Sequence, residues 1–223
     1  MIQSQLHQIA AQLDSPNARD RMLALIALRQ IPTADAAPLI HKALFDENVP
    51  VRSLAVRALG GQATEETYNI LLRLLTEDPD YEIRAGAAAA LGDLKEVRAF
   101  QVLVRAFFED TSWVVRFSAA VALGQLKDPR AHEVLIHALH RDEAVIQQAA
   151  ISALGEIQDF EAVDDLLNFA QSEDWLSRQR LAEALGNLPT AKSQSALNYL
   201  SKDDHPQVAQ AAENALHRLQ EHG

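Results

Sequence analysis

Three Asp–Arg pairs of identical spacing are the residues of this chain whose types could do chemistry. In each pair the aspartate precedes the arginine by six residues: Asp46 and Arg52, Asp78 and Arg84, and Asp110 and Arg116. A carboxylate beside a guanidinium could act as a catalytic acid next to an anion-binding group. A structural role is favoured, because a catalytic group has no reason to recur at every period of a repeat. We therefore expect a ladder of ion pairs within and between neighbouring segments, which decays in the last repeats because the Asp–Arg spacing is lost there.

Histidines are the second group that could do chemistry. His132, His137 and His140 fall in one segment, and the last two are three residues apart. Two imidazoles on one helical turn hold a metal ion only with a further ligand, and none is evident, so we expect solvated histidines and no metal site. The chain also lacks a glycine-rich phosphate loop, G-x-S-x-G and H-E-x-x-H. No catalytic residue is assigned, and whether the protein is an enzyme stays open.

These residues belong to a motif that recurs about seven times, at intervals of 31 or 32 residues. Five copies superpose without gaps and share a glycine near the end: Gly60, Gly92, Gly124, Gly155 and Gly186. Degenerate copies near 1–31 and 191–223 carry Arg29 and His217 in place of the glycine. Terminal repeats are expected to depart from the consensus, because one side of each has no neighbouring repeat.

Each repeat is predicted to contain two antiparallel helices, A and then B. Helix B is expected to begin after a short polar residue that caps its first N–H groups, and to end at the glycine in a left-handed conformation. The expected caps are Asn17, Asn48, Asp80, Ser112 and Asp174. Alanines such as Ala87 and Ala119 share one position of helix B, which indicates close approach between neighbouring B helices. The prediction is an all-α superhelical solenoid of about seven two-helix repeats, forming a single unit over 1–223.

Composition argues against several classes of partner. The net charge is −11, whereas a surface that binds nucleic acid or anionic lipid needs clustered Lys and Arg, so we expect no nucleic-acid partner. No apolar run approaches the roughly 18 residues of a membrane span, and the N-terminus lacks the basic and apolar regions of a signal peptide. We therefore expect no membrane insertion. The absence of cysteine fits a reducing compartment, and a cytoplasmic location is expected.

An apolar line on helix B is left over once the packing positions are assigned. The first residue of helix B is aromatic in three repeats, at Tyr81, Trp113 and Trp175, and the line continues from Trp113 through Phe117 and Val121 at helical spacing. Since B helices line the concave wall of such solenoids, these side chains are expected there, with a notch between the two tryptophans where the equivalent residue is alanine.

Aromatic anchors surrounded by polar side chains are typical of interface hot spots. The alternative is that each aromatic side chain only covers a seam between repeats, but the apolar face extends further than seam-covering requires, which favours binding. The predicted binding residues on the concave face are Arg57, Tyr81, Trp113, Phe117, Val121, Gln148, Trp175 and Gln179.

The repeat unit D-x5-R-x2-A-A-x-A-L-G-x-L, followed by D-P-R-A, resembles the HEAT-like repeats of phycobilisome lyase-type proteins. The resemblance spans essentially the whole chain, and NARDRMLALIALRQI, TSWVVRFSAAVALGQLKDPR and EDWLSRQRLAEALG are most similar to the branch that degrades phycobilisomes in cyanobacteria. It implies a HEAT-like α-α solenoid that binds phycobiliprotein subunits or their phycocyanobilin-type tetrapyrrole, requires no cofactor, and works with a second HEAT-repeat subunit. The alternatives are a bilin lyase or detaching enzyme, and a general scaffold for assembly of cofactors or photosynthetic complexes.

Overall fold

The computed structural model describes residues 2–221, and within that range it contains fourteen α-helices and no β-strand. The predicted capping repeats extend beyond this range only at residues 1, 222 and 223. The helices are α1 (Ile2–Leu13), α2 (Ala18–Leu28), α3 (Thr33–Ala43), α4 (Val49–Leu59), α5 (Glu65–Glu77), α6 (Tyr81–Asp93), α7 (Phe100–Glu109), α8 (Trp113–Gln125), α9 (His132–Leu139), α10 (Ala144–Glu156), α11 (Val163–Leu167), α12 (Trp175–Leu185), α13 (Ala191–Leu200) and α14 (Pro206–Glu221). Short 3-10 segments occupy Val97–Ala99, Pro129–Ala131 and Asn168–Gln171.

The helices form two layers that follow the order of the chain. Odd-numbered helices are the predicted A helices, and even-numbered helices are the predicted B helices. Each even-numbered helix packs on the odd-numbered helix before it and on the even-numbered helix of the next repeat, whereas odd-numbered helices contact one another much less. The even-numbered layer is the more closely packed of the two, and we call its exposed face the inner wall. The predicted all-α solenoid of about seven two-helix repeats is confirmed.

The B helices begin largely as the sequence predicts. Four of the five expected caps accept a hydrogen bond from a backbone N–H group of the first turn: Asn17, Asn48, Asp80 and Asp174. Ser112 has the extended backbone of a capping residue, but its side chain makes no capping hydrogen bond. Its own N–H donates to the carboxylate of Asp110 at 2.8 Å, so the turn before α8 is held by that aspartate.

The prediction that the glycines end the B helices in a left-handed conformation is wrong. None of the described glycines has a positive φ, and Gly92 and Gly124 lie inside α6 and α8. The left-handed residues come three positions later, at Lys95, Lys127 and Gln158, with φ of 52°, 52° and 55°. At these residues the chain leaves the helix, as at other helix C-termini, where the N–H group of the residue after the left-handed one donates to a carbonyl oxygen of the last turn.

The glycines instead allow adjacent B helices to touch. A Cβ atom added at Gly92, Gly124, Gly155 or Gly186 would lie within 2.9 Å of an alanine on the next B helix. The opposing residues are Ala122, Ala153, Ala184 and Ala215. Since such a distance is far inside van der Waals contact, any larger residue would force the helices apart. The close approach of B helices is therefore confirmed, although it is the glycine and this alanine that meet.

Candidate functional site

The Asp–Arg ladder joins neighbouring repeats through its carboxylates. Arg84 donates from Nε and Nη2 to the carboxylate of Asp110, one repeat further on, at 2.8 and 3.0 Å. Its Nη1 donates to the main-chain oxygen of Asp78, six residues before it, at 2.9 Å. Arg52 and Arg116 bond to the main-chain oxygen six residues before them in the same way. Asp46 and Asp110 therefore offer their carbonyl within the repeat and their carboxylate to the preceding repeat, whereas Arg52 reaches the carboxylate of Asp80, at 3.8 Å, and not that of Asp78.

The ladder extends further than the spacing within repeats predicts. Arg21 binds the carboxylate of Asp46 at 2.7 and 2.8 Å, and Arg178 binds Asp203 at 2.7 and 3.0 Å. The expected decay is seen at Gln147, which forms no ion pair, but not at Arg178, because the partner of this arginine stands in the next repeat and the spacing within one repeat does not show it. Even Gln147, which replaces the arginine, donates to the main-chain oxygen of Arg141 at 2.8 Å.

The charges of the ladder are engaged with one another. Burial raises the pKa of Asp110, but the hydrogen bonds from Arg84 and from the Ser112 N–H group outweigh it and hold that pKa below its usual value. The carboxylate is thus ionised and already occupied by donors. A general acid needs a pKa near the working pH, so the geometry and the direction of this shift both favour the structural role.

Three predicted aromatic residues stand at the first position of their helices on the inner wall. Tyr81, Trp113 and Trp175 begin α6, α8 and α12, and their side chains are 46%, 52% and 36% exposed, respectively. Phe117 and Val121 are partly buried and pack against the core from the same helix as Trp113. Trp113 is therefore the most exposed member of a line whose other members are anchored in the fold.

The predicted residues toward the C-terminus are engaged by their neighbours. The Trp175 ring stacks on His205, with 4.1 Å between centroids and 12° between planes. Gln148 donates from Nε2 to the carboxylate of Asp174 at 2.7 Å, and Gln179 donates to Glu183 at 2.9 Å. Among the described residues, by contrast, neither Tyr81 nor Trp113 makes a ring contact. The accessible part of the predicted surface therefore lies around α6 and α8.

A cavity of about 620 Å³ opens on the inner wall beside these helices. Its floor is made by small side chains. Ser53 and Ala85 are equivalent in their repeats to Phe117 of α8, and Ala89 is equivalent to Val121. The predicted residue Arg57 also lines the cavity. The side toward α2 is lined by Arg29 and by core residues of the first repeats. The predicted binding residues do not include any from α2, although the replacement of a glycine by Arg29 is a signal in the sequence that marks this helix.

Two of the three histidines of the α9 segment contact neighbouring side chains, and His140 is exposed. The ring of His132 contacts the carboxylate of Asp159, and His137 meets the ring of Phe108 edge-on at 5.1 Å. The hydrogen bond with Asp159 raises the pKa of His132. Within residues 2–221, no group of His, Asp and Glu side chains is arranged to hold a metal ion.

Taken together, the described residues define a solenoid of antiparallel helix pairs with an accessible, partly aromatic inner wall. The model of the family described as HEAT repeats matches residues 6–92, 71–155 and 133–217. The chain belongs to the HEAT-repeat family. No curated protein sequence matches it. No helix of the described range is both long enough and apolar enough to cross a lipid bilayer.

Solved structures with this fold differ widely in what they bind. The complex of CpcE and CpcF of phycocyanin lyase from Nostoc sp. PCC7120 is 21% identical, with a TM-score of 0.60 over 96% of this chain and 94% of that chain. Kap95p in its complex with RanGDP is 16% identical, with a TM-score of 0.61 over 97% of this chain and 35% of that chain. An engineered protein is 21% identical, with a TM-score of 0.59 over 96% and 68%. At these identities the likeness shows the shared fold alone.

Proposed function

We propose that this chain is a binding protein whose inner wall holds a phycobiliprotein subunit or its open-chain tetrapyrrole, in phycobilisome disassembly or in handling of the chromophore. The observation that carries the proposal is Trp113, whose side chain is 52% exposed at the centre of the inner wall. Large aromatic side chains that stay exposed on one face of a protein are typical of interaction sites. Phe117 and Val121 continue this apolar line along α8.

The surroundings of Trp113 suit a planar or flat apolar partner. Tyr81, at the same position one repeat earlier, is also nearly half exposed. Further along the same helix as Tyr81, Ala85 and Ala89 line the cavity, and these small side chains leave room where bulkier residues would fill the wall. Arg57 lines the same cavity and supplies a charge for an acidic group.

The ligand class comes from similarity. The repeat motif resembles that of phycobilisome lyase-type proteins, in particular the branch that degrades phycobilisomes, and a phycocyanin lyase shares the fold at a TM-score of 0.60. That solved structure is a complex of two proteins, CpcE and CpcF, so the proposal includes a second HEAT-repeat subunit for this chain and a cytoplasmic location. No separate cofactor is required by this role.

Binding of holo-phycocyanin to the immobilised protein tests the proposal, with Trp113→Ala as the perturbation and Tyr199→Ala as the matched control. Tyr199 is 56% exposed but lies on the outer helix α13. Truncating a hot-spot aromatic costs about 2 kcal/mol or more, so Trp113→Ala should weaken binding by about 30-fold while its helical signal and melting temperature stay near wild type. Tyr199→Ala should bind as the wild type does.

The same samples separate the rival functions. Release of free pigment, or its transfer to apo-phycocyanin, would assign a bilin lyase or detaching activity to this surface. Equal binding by both variants and the wild type would show that the inner wall is not the site. Absence of any binding to holo-phycocyanin and to the free bilin would contradict the ligand class and leave a scaffold for other partners as the function.

A further inference from the structure

The first interface between B helices lacks the glycine contact that closes the later ones. Arg29 stands where the next repeats have glycine. Its backbone is right-handed, with a φ of −62° against −57° at Gly60, so the two positions differ in the side chain and not in the path of the chain. The alanine that should meet this position is Ala58, which is only partly buried. Its counterparts are all buried, with at most 3% exposure: Ala90, Ala122, Ala153, Ala184 and Ala215.

This missing contact opens a cleft between α2 and α4. Both Arg29 and Ala58 line the 620 Å³ cavity, and so do Leu25, Leu28 and Ile40, which are otherwise core residues with at most 2% exposure. The cavity on the inner wall is thus bounded by the apolar core of the first two repeats. We call this part of the cavity the α2–α4 cleft.

The cleft contains polar groups that lack partners in the described part of the chain. Gln62 is 6% exposed and lines the cavity, but its side-chain amide makes no hydrogen bond to any described residue, and it also borders a second cavity beside α3. Arg29 and Arg57 are exposed and form no ion pair within residues 2–221. The single acid of the cavity lining, Asp93, already accepts a hydrogen bond from Gln125 at 2.9 Å.

We propose that the α2–α4 cleft binds a small organic anion with an elongated apolar body and a carboxylate. The apolar body would lie against Leu54, Ala58 and Ala89, which line the cavity and are only partly buried. The amide of Gln62 would bond to a polar group of the ligand, and the guanidinium groups would bind the carboxylate. Two uncompensated arginines in a chain of net charge −11 are complementary to such an anion. The volume lies within the range of about 300–1,000 Å³ usual for small-molecule sites.

A small molecule fits this cleft better than an acidic peptide, because the inner end is formed by core side chains and not by an open edge of the fold. The inference deepens the proposed function, since it places the carboxylates of a tetrapyrrole at Arg29 and Arg57. It rests on the proposed function only in the choice of biliverdin as one of the two probes.

Two carboxylate probes distinguish the two proposals: biliverdin, with its dimethyl ester as the uncharged control, and the fluorescent fatty acid cis-parinaric acid, with its methyl ester. The wild-type protein should bind at least one acid at a ratio of one to one, and the matching ester at least about tenfold more weakly, because a charge-assisted hydrogen bond is lost. Arg29→Gln and Arg57→Gln should each weaken binding by about tenfold or more. Arg19→Gln, an exposed arginine of α2 outside the cavity, should bind normally.

Arg29→Gly supplies the decisive variant. It restores the residue that the other repeats use, so α2 and α4 should close on each other, and binding should be lost without loss of helical signal. Normal binding by Arg29→Gly, equal binding of acid and ester, or no binding of either acid would overturn the cleft as an anion site. Biliverdin binding that depends on Trp113 but not on the arginines would overturn the cleft and retain the proposed function. Binding of cis-parinaric acid alone, if it depends on the arginines, would retain the cleft as an anion site and overturn the proposed function. Binding of an acidic peptide in place of both acids would overturn the cleft as a site for a small organic anion.

Discussion

The close contact between B helices makes Gly124→Ala the sharpest test of the packing. Gly124 lies inside α8, and a Cβ atom there would be 2.6 Å from Cβ and 2.7 Å from Cα of Ala153 on α10. Carbon atoms prefer separations of about 3.5–4.0 Å. Ala153 has no side-chain torsion that could relieve the overlap, so the backbones of α8 and α10 must move apart.

Two opposing terms set the magnitude. Replacing glycine by alanine inside a helix favours folding by about 1 kcal/mol through helix propensity. Overpacking a rigid contact costs about 1–3 kcal/mol, and the upper end applies here because backbone atoms are involved. The net loss is therefore expected to be about 2 kcal/mol, which corresponds to a fall in melting temperature of about 4–8 °C for a chain of this size.

Gly61→Ala is the matched control. Its added Cβ would meet only the carbonyl oxygen of Ala58, at 3.7 Å, and its φ is not positive, so its stability should be unchanged or higher by up to about 1 kcal/mol. Urea unfolding followed by circular dichroism measures both variants. If Gly124→Ala is as stable as the wild type, or if Gly61→Ala loses as much, the glycines are not retained for close approach of the helices.

Three further expectations concern electrostatics and the tryptophans. The pKa of His132 is raised by its hydrogen bond to Asp159, so the pair stabilises the fold fully below the unfolded pKa of about 6.5. This contribution to stability is lost as the pH rises through the higher pKa of the folded state. The pH-dependence of the free energy of unfolding should therefore be flatter in His132→Gln, and an unchanged profile would contradict this. Arg84→Gln should lower the free energy of unfolding by about 2 kcal/mol, since charge-assisted hydrogen bonds between two repeats are lost. Arg105→Gln removes an exposed ion pair within one helix and should cost much less. Equal losses of the two variants in urea unfolding would count against a structural role of the ladder. Trp175→Ala should lower the melting temperature, because its stacked ring contact is lost, and should weaken phycocyanin binding less than Trp113→Ala does.

The repeat period was sufficient to predict the number, the order and most of the starting points of the helices. It succeeded because each cap and each apolar position acts within one repeat, as at Asn48 and Asp80. It failed where the relevant partner lies in another repeat. Arg178 binds Asp203 across a repeat boundary, and Gly124 meets Ala153 in the same way, so neither role is visible in the alignment of single units. The candidate site shows the same division: the exposure of Trp113 agrees with the pattern on its own helix, whereas the stacking of Trp175 on His205 depends on the next repeat.

The position of Arg29 distinguishes a functional departure from the consensus from a neutral one. On the inner wall, Trp113 is 52% exposed and makes no ring contact within the described residues, so a change there should leave the fold intact. The position of Arg29 is different, because the equivalent glycines close the interfaces between B helices, and with a large residue there Ala58 is left only partly buried beside a cavity. Such a loss of stability is retained most readily where it serves a function. Arg29→Gly should therefore raise the melting temperature while it abolishes binding of the carboxylate probe; a fall in melting temperature would show instead that Arg29 belongs to the packing of the terminal repeat.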